Sequence, residues 1–434
     1  MVDNFRRNII FLIFLLVFQF NASAQILTLE EAVKSALSNN LSLKKAEIDL
    51  ALSGYSAKHF WAEIFPSINA SASVGFRNNH TAEPKQNEGS LTYSVGFGLN
   101  LGLNAGIPFI IKNIKLAHQS NVLKYEDARN QLSIQITKMY YSLAAEKNNL
   151  LLMNEVFDLA KGLYTRSETM YRNGLIGELS LTQSSLALEN ARYNQSAALI
   201  AHNNNLNEFS AALGITGADI ALSDEIKIVR IEANAQSLIS EYLHLRPDII
   251  NAKQEIERQS NAKKQTSLQS RAPSLNLSVD WNSANFKPLT DTFSATARVS
   301  IPIDPWIPGT SKHQSISRAS GSAEKAKLDL ELAENSAKTQ IRSLCAMLSN
   351  SWDSIRIARL SLNAAERNYQ LTEQAFNRGA VEALTLQDSR NNLASAKQRL
   401  LQTEVSYFNM ILDLSSSLNI DWKYLIQTYG VVSE

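Results

Sequence analysis

Between Ser90 and Asn104 the sequence SLTYSVGFGLNLGLN alternates without an error. Leu91, Tyr93, Val95, Phe97, Leu99, Leu101 and Leu103 are apolar, and the residues between them are polar or glycine. A period of two marks a strand with one apolar face and one small, wet face. Strands of soluble sheets usually end after about 5–6 residues, whereas a tilted membrane crossing takes about 9–11. The stretch therefore reads as a membrane strand over residues 90–104, with Leu91, Tyr93, Val95, Phe97 and Leu99 toward lipid. A matching strand over 67–76 places Ile68, Ala70, Ala72, Val74 and Phe76 on one face, and the polar segment Arg77–Gly89 is expected to join the two as a hairpin loop.

The pattern recurs. Pro273-Ser274 repeats Pro66-Ser67, and two more alternating stretches follow at 274–282 (Leu275, Leu277, Val279, Trp281) and 292–301 (Phe293, Ala295, Ala297, Val299, Ile301). Each strand pair precedes a very long helical pattern. From about Ile111 to Arg172 no proline interrupts an apolar heptad row, Ile136, Leu143, Leu150, Phe157, Tyr164 and Tyr171, with a second row at Leu132, Met139, Met153 and Ala160. The row Ile341, Leu348, Ile355, Leu362, Tyr369 and Phe376 repeats the first one 205 residues later, type for type. Heptads sustained over that length form a coiled-coil seam. Gly174 and Gly379, again 205 apart, end the two long helices, and returning helices run to about Leu213 and Leu418.

The expected organisation is a leader over 1–24, a first repeat over 25–215 with its helix hairpin at 111–213, and a mixed segment over 216–243. A second repeat follows over 244–420 with its hairpin at 312–418, then a tail over 421–434. Thr28 and Glu31 form a capping box for the first helix. In the leader, Arg6 and Arg7 precede the apolar run Ile9–Phe18 and Ala22-Ser23-Ala24, the layout of an export signal cut before Gln25. The run is too short for a membrane helix, and no later stretch reaches about 18 apolar residues. Without the leader the charges balance, which gives no basis for nucleic-acid binding. The single Cys345 cannot form an intrachain disulfide and reads as a buried inert thiol.

Four strands leave two open edges, and open edges are not tolerated in hydrocarbon. Single-chain outer-membrane barrels have at least about eight strands. Copies of the chain are therefore expected to pool strands into one barrel, with loops 77–89 and 283–291 outside the cell and the helices projecting the other way.

The mature chain resembles the TolC-like outer-membrane efflux proteins. The resemblance rests on Leu27-Thr28-Leu29-Glu30-Glu31-Ala32-Val33 with Asn39-Asn40, on Arg246-Pro247-Asp248 with Pro273-Ser274-Leu275, and on the tips Tyr171-Arg172-Asn173-Gly174-Leu175 and Phe376-Asn377-Arg378-Gly379. It implies a homotrimer with a 12-stranded β-barrel on a long α-helical coiled-coil barrel, in the outer membrane of a diderm bacterium. It also implies tip docking, through Arg172, Gly174, Leu175, Arg378 and Gly379, to a periplasmic adaptor (a membrane fusion protein) and an inner-membrane transporter. In that family, aspartates on the second hairpin ring the closed entrance. Asp388 matches one such position, while Thr385 stands where a second aspartate is frequent. Val381, Leu179 and Ser180 occupy places of other latch partners, so closure is expected from helix packing and one carboxylate ring rather than an ionic latch.

The resulting expectation is a passive, trimeric exit duct serving tripartite efflux or type I secretion. The competing one is an exported coiled-coil scaffold or adhesin without a channel. An enzyme is not expected. The six histidines are scattered without metal-ligand spacing, no nucleophile, phosphate-binding or dinucleotide motif appears, and no cofactor is called for.

Overall fold

The computed structural model describes residues 25–80, 87–215, 220–222, 228–284, 291–378 and 380–431, so the leader and Gly379 lie outside the described residues. The elements, in order, are β1 (Gln25–Leu27), α1 (Leu29–Asn39), α2 (Leu41–Lys58), β2 (Ser67–His80), β3 (Asn87–Leu103), α3 (Ile107–Arg172), α4 (Glu178–Leu213), β4 (Ile220–Leu222), β5 (Arg230–Ile231) and α5 (Ala235–Tyr242). They continue as α6 (Pro247–Arg271), β6 (Ser274–Ala284), β7 (Asp291–Ser300), α7 (Ser311–Asn377), α8 (Ala383–Leu418), α9 (Trp422–Tyr429) and β8 (Gly430–Val431). Two compact units result. One joins Lys45–Asp127 to Leu243–Ala337, and the other holds the rest of the described chain.

The first unit carries a four-stranded antiparallel sheet in the order β2-β3-β6-β7. The two hairpins meet through β3 and β6, a long-range pairing that the alternation alone does not specify. Register keeps every apolar row on one face: Val74 sits opposite Tyr93, Ala70 opposite Phe97, Phe97 opposite Trp281, and Trp281 opposite Phe293. Phe97 and Trp281 stack with centroids 5.8 Å apart. On the other face Ser73 and Ser94 share a 2.7 Å hydrogen bond. Gly98 lies between Asn69 and Asp280, where a Cβ would come within 2.6 Å of Asn69 Oδ1 and 2.8 Å of Asp280 Oδ1.

The expected 77–89 loop is shorter than the sequence implies. Arg77–His80 continue the ladder against Asn87–Ser90, because backbone hydrogen bonds, not apolar side chains, carry an antiparallel pair onward. Asn104 falls outside the strand, and its side-chain Oδ1 accepts from the Gly106 N–H at 2.9 Å.

Helix α6 follows the Arg246-Pro247-Asp248 motif. Pro247 occupies the first helical turn, where its missing N–H costs nothing. Arg246 grips Asp248 with two bonds, Nε to Oδ1 at 3.0 Å and Nη2 to Oδ2 at 2.7 Å. Burial alone would raise the Asp248 pKa, but this guanidinium wins and holds the carboxyl below its ordinary value.

In the second unit, the core gathers Ile136, Tyr140, Leu143, Phe209, Leu213, Phe408 and Leu412 with Ala32 and Ala36 of α1. The α1 capping box is present: Thr28 Oγ1 accepts from the Glu31 N–H and the Glu31 carboxylate accepts from the Thr28 N–H. Tyr140 donates its hydroxyl to the Leu27 carbonyl at 2.9 Å, tying β1 to the core. Two short sheets complete the unit, β1 parallel to β4 and β5 antiparallel to β8. Tyr407 locks the second by accepting the Ile231 N–H at 2.8 Å while donating to the Val229 carbonyl at 3.2 Å.

Helices α3 and α7 contain 66 and 67 residues, a contour of roughly 100 Å each at 1.5 Å per residue. Their heptad rows are fully buried at Ile136, Leu143, Ile341, Leu348 and Ile355, whereas Tyr171, in the last turn of α3, is exposed. The duplication reaches the hydrogen bonds. Ser184 Oγ donates to the Leu181 carbonyl at 2.8 Å, and Ser389 Oγ donates to the Leu386 carbonyl at 2.8 Å. Cys345 on α7 is half-buried rather than buried, and desolvation pushes its thiol pKa up.

Candidate functional site: sheet faces and helical tips

The sheet carries its apolar residues exposed. Leu91, Tyr93, Phe97 and Leu99 of β3 are open, as are Ile68, Val74 and Phe76 of β2 and Phe293 and Val299 of β7, while Val95 is half-buried. Because paired residues share a face, these side chains, with the exposed Leu277 and Val279 of β6, form one continuous apolar surface across all four strands. Among the described residues, strands β2 and β7 each have one neighbour.

At the first tip, α3 ends in a Schellman motif. Leu175 N–H donates to the Met170 carbonyl and Gly174 N–H to the Tyr171 carbonyl, both at 2.9 Å, with Gly174 at φ +72°. Leu175 projects outward, 68% exposed. Arg172 is open to solvent and pairs with Glu168 on its own helix at 2.6 Å. At the second tip, Ala380 N–H donates to the Ala375 carbonyl at 2.9 Å, the same bond 205 residues on, and Arg378 is exposed. The tips thus place Arg172, Leu175 and Arg378 at the surface, while Gly379 lies outside the described residues.

Thr385 and Asp388 sit one turn apart on an exposed face of α8, between buried Leu386, Gln387 and Ser389. Asp388 lines a groove of about 690 Å³ with Asn190 and Asn194 of α4 and Asn149 of α3. Among the groove's lining residues it is the only charged one.

Sequence reasoning missed a cluster on the other side of α8. Tyr369 donates its hydroxyl to Glu373 Oε1 at 2.6 Å. Arg390 of α8 lies 3.8 Å from the same carboxylate oxygen and 5.6 Å from the Tyr369 ring centroid. Burial and the Glu373 carboxylate push the Tyr369 pKa up, and Arg390 opposes them. The signal was hidden because Tyr164 and Glu168 repeat Tyr369 and Glu373 at the 205-residue offset, whereas Arg390 corresponds to Ser185.

Two apolar stripes remain uncovered. On α4 the exposed Leu179, Leu186, Tyr193 and Ile200 recur every seven residues. On α7 Ile357, Ala364 and Leu371 do the same, with Leu360 beside them.

Comparison with known proteins matches residues 32–215 and 238–419 to the model of the family described as outer membrane efflux protein. The chain belongs to that family. The two matched segments coincide with the two halves of the duplication. Among relatives, the probable efflux pump outer membrane protein TtgC of Pseudomonas putida is 24% identical over 416 residues, covering 91% of this chain and 83% of that protein. The cation efflux system protein CusC of Escherichia coli K12 is 21% identical over 398 residues, covering 88% of this chain and 84% of that protein.

Solved structures show the same fold. The Campylobacter jejuni CmeC outer membrane channel matches with TM-score 0.75 at 18% identity, covering 92% of this chain and 88% of that one. A crystal structure of CusC matches with TM-score 0.73 at 16% identity, covering 91% and 92%. As an outer membrane efflux protein, the chain resides in the outer membrane and functions in efflux. The scaffold or adhesin reading is not favoured. No helix among the described residues is long and apolar enough to cross a membrane.

Proposed function

We propose that three copies of this chain form a passive exit duct, closed in the outer membrane by a shared β-barrel. The observation that carries this reading is the four-stranded sheet with β2 and β7 open at its edges. Unpaired edges cost several kcal/mol per unsatisfied group in lipid, and β2 of one copy can pair with β7 of the next. Three copies then give 12 strands, within the range of outer-membrane barrels. Leu91, Tyr93, Val95, Phe97 and Leu99 face lipid, and the glycine, serine and asparagine face lines water.

The helices carry the duct into the periplasm. Uncovered stripes on α4 and α7 favour close packing of neighbouring copies through knobs-into-holes contacts. Arg172, Gly174, Leu175 and Arg378 at the tips form the docking surface for a periplasmic adaptor linked to an inner-membrane transporter. Asp388, with Thr385 one turn away, forms the constriction at that end. TtgC is named for toluene efflux in one Pseudomonas putida strain and CusC for cation efflux, so related ducts accompany different cargoes and the partner pump selects among them.

Reconstitution in a planar lipid bilayer tests the duct. Stepwise conductance supports it, and intact protein that inserts without conducting overturns it in favour of a scaffold.

A further inference from the structure

We propose that Arg390 is a positioning residue of the entrance: it clamps α8 to α7 and thereby presents Asp388 to the groove. The inference rests on Asp388 forming the constriction. Residues 388 and 390 lie roughly 200° apart around a helix at 3.6 residues per turn. Holding one against α7 therefore turns the other away from it.

Arg390 has the contacts to do this. Its side chain is 18% exposed, and it meets Glu373 and the Tyr369 ring on α7 together. Tyr369 in turn holds Glu373 by a 2.6 Å hydrogen bond, so the carboxylate is fixed before the guanidinium reaches it. A planar guanidinium can stack on an aromatic ring and face a carboxylate at once, which an ammonium does poorly. Buried Gln387, 7% exposed, fills the helix face between the two and donates to Asn391 Oδ1 at 3.2 Å.

The duplication supplies an internal control. The first hairpin keeps the tyrosine and the glutamate, as Tyr164 and Glu168, but its returning helix has Ser185 in place of Arg390. There Glu168 pairs instead with Arg172 on its own helix. The matching position for Asp388 on that helix is Gln183. Only the half that carries the carboxylate carries the cross-helix clamp.

Two readouts on assembled protein, with Cys345→Ser as background, test this. The first is the spectrum of a nitroxide on Asp388→Cys. Adding Arg390→Ala is expected to increase label mobility, and Arg390→Lys to increase it less. Unchanged mobility in Arg390→Ala overturns the inference, whatever the channel does. The second is block of single-channel current by lanthanum(III). Arg390→Ala is expected to weaken block several-fold with Asp388 intact, while Ser185→Arg leaves it unchanged. If Asp388→Ala fails to weaken block, the constriction reading falls, and the label still decides whether Arg390 positions the residue.

Discussion

Gly214 and Asn419, 205 residues apart, end α4 and α8 with the same left-handed cap, at φ +70° and +55°. In both, the next residue closes the motif: Ile215 N–H donates to the Ser210 carbonyl at 3.0 Å and Ile420 N–H to the Ser415 carbonyl at 3.2 Å. Glycine adopts this conformation freely, whereas other residues lose about 1–2 kcal/mol and asparagine loses the least. At Gly214 a Cβ would also come within 2.6 Å of Asn39 Cβ. Gly214→Ala is expected to lower stability by about 1–3 kcal/mol, and Asn419→Gly to leave it unchanged or slightly raised. Thermal unfolding of the detergent-solubilised protein measures both, and an equal loss at the two positions would contradict the cap geometry.

The sheet faces give a second prediction. Val95 and Ser94 are adjacent but point to opposite faces. Arginine on a lipid face costs about 2–4 kcal/mol at mid-membrane and little in a wet lumen. Val95→Arg is expected to block barrel assembly while Ser94→Arg assembles, as read by the heat-modifiable band on a gel. Equal tolerance would mean that the apolar face does not meet lipid.

Uncovered stripes on α4 and α7 predict a contact between copies. Counted from the two tips, Leu186 and Ala364 lie at similar heights on antiparallel helices. With Cys345→Ser as background, the pair Leu186→Cys and Ala364→Cys is expected to yield disulfide-linked dimers and trimers, and either alone to yield monomer. Linked bands from the single variants, or none from the pair in an assembled oligomer, would exclude this helix pairing.

Asp248 provides the pH dependence. Its pKa is depressed in the folded protein by Arg246, so its contribution is present above the ordinary carboxylate range and is lost as pH falls through the lower folded value. Stability of the native chain is expected to drop more between pH 5 and 3 than that of Asp248→Asn, which lacks the titration (about 3.9 is the unperturbed aspartate value). Parallel pH profiles would show that the pair contributes nothing.

Much of the fold was legible because its periods are long and clean. Alternation from Leu91 to Leu103 marked the strand, and seven-residue spacing from Ile136 to Tyr171 marked the helix. Pairing of β3 with β6 was not legible, since both flanks of an alternating strand look alike to a neighbour. Continuation of β2 to His80, paired with Asn87–Ser90, was hidden because Arg77-Asn78-Asn79-His80 breaks the apolar alternation. At the candidate entrance, Asp388 was found by family resemblance. Arg390 was missed because the duplication directs attention to matched positions, and its counterpart is Ser185.

Closure of four strands into a barrel shared between copies is most directly tested by the mass of the mature protein extracted from outer membranes in mild detergent. A particle of three chains is the predicted result. A monomer, or protein recovered soluble from the periplasm, would leave β2 and β7 unpaired and contradict it.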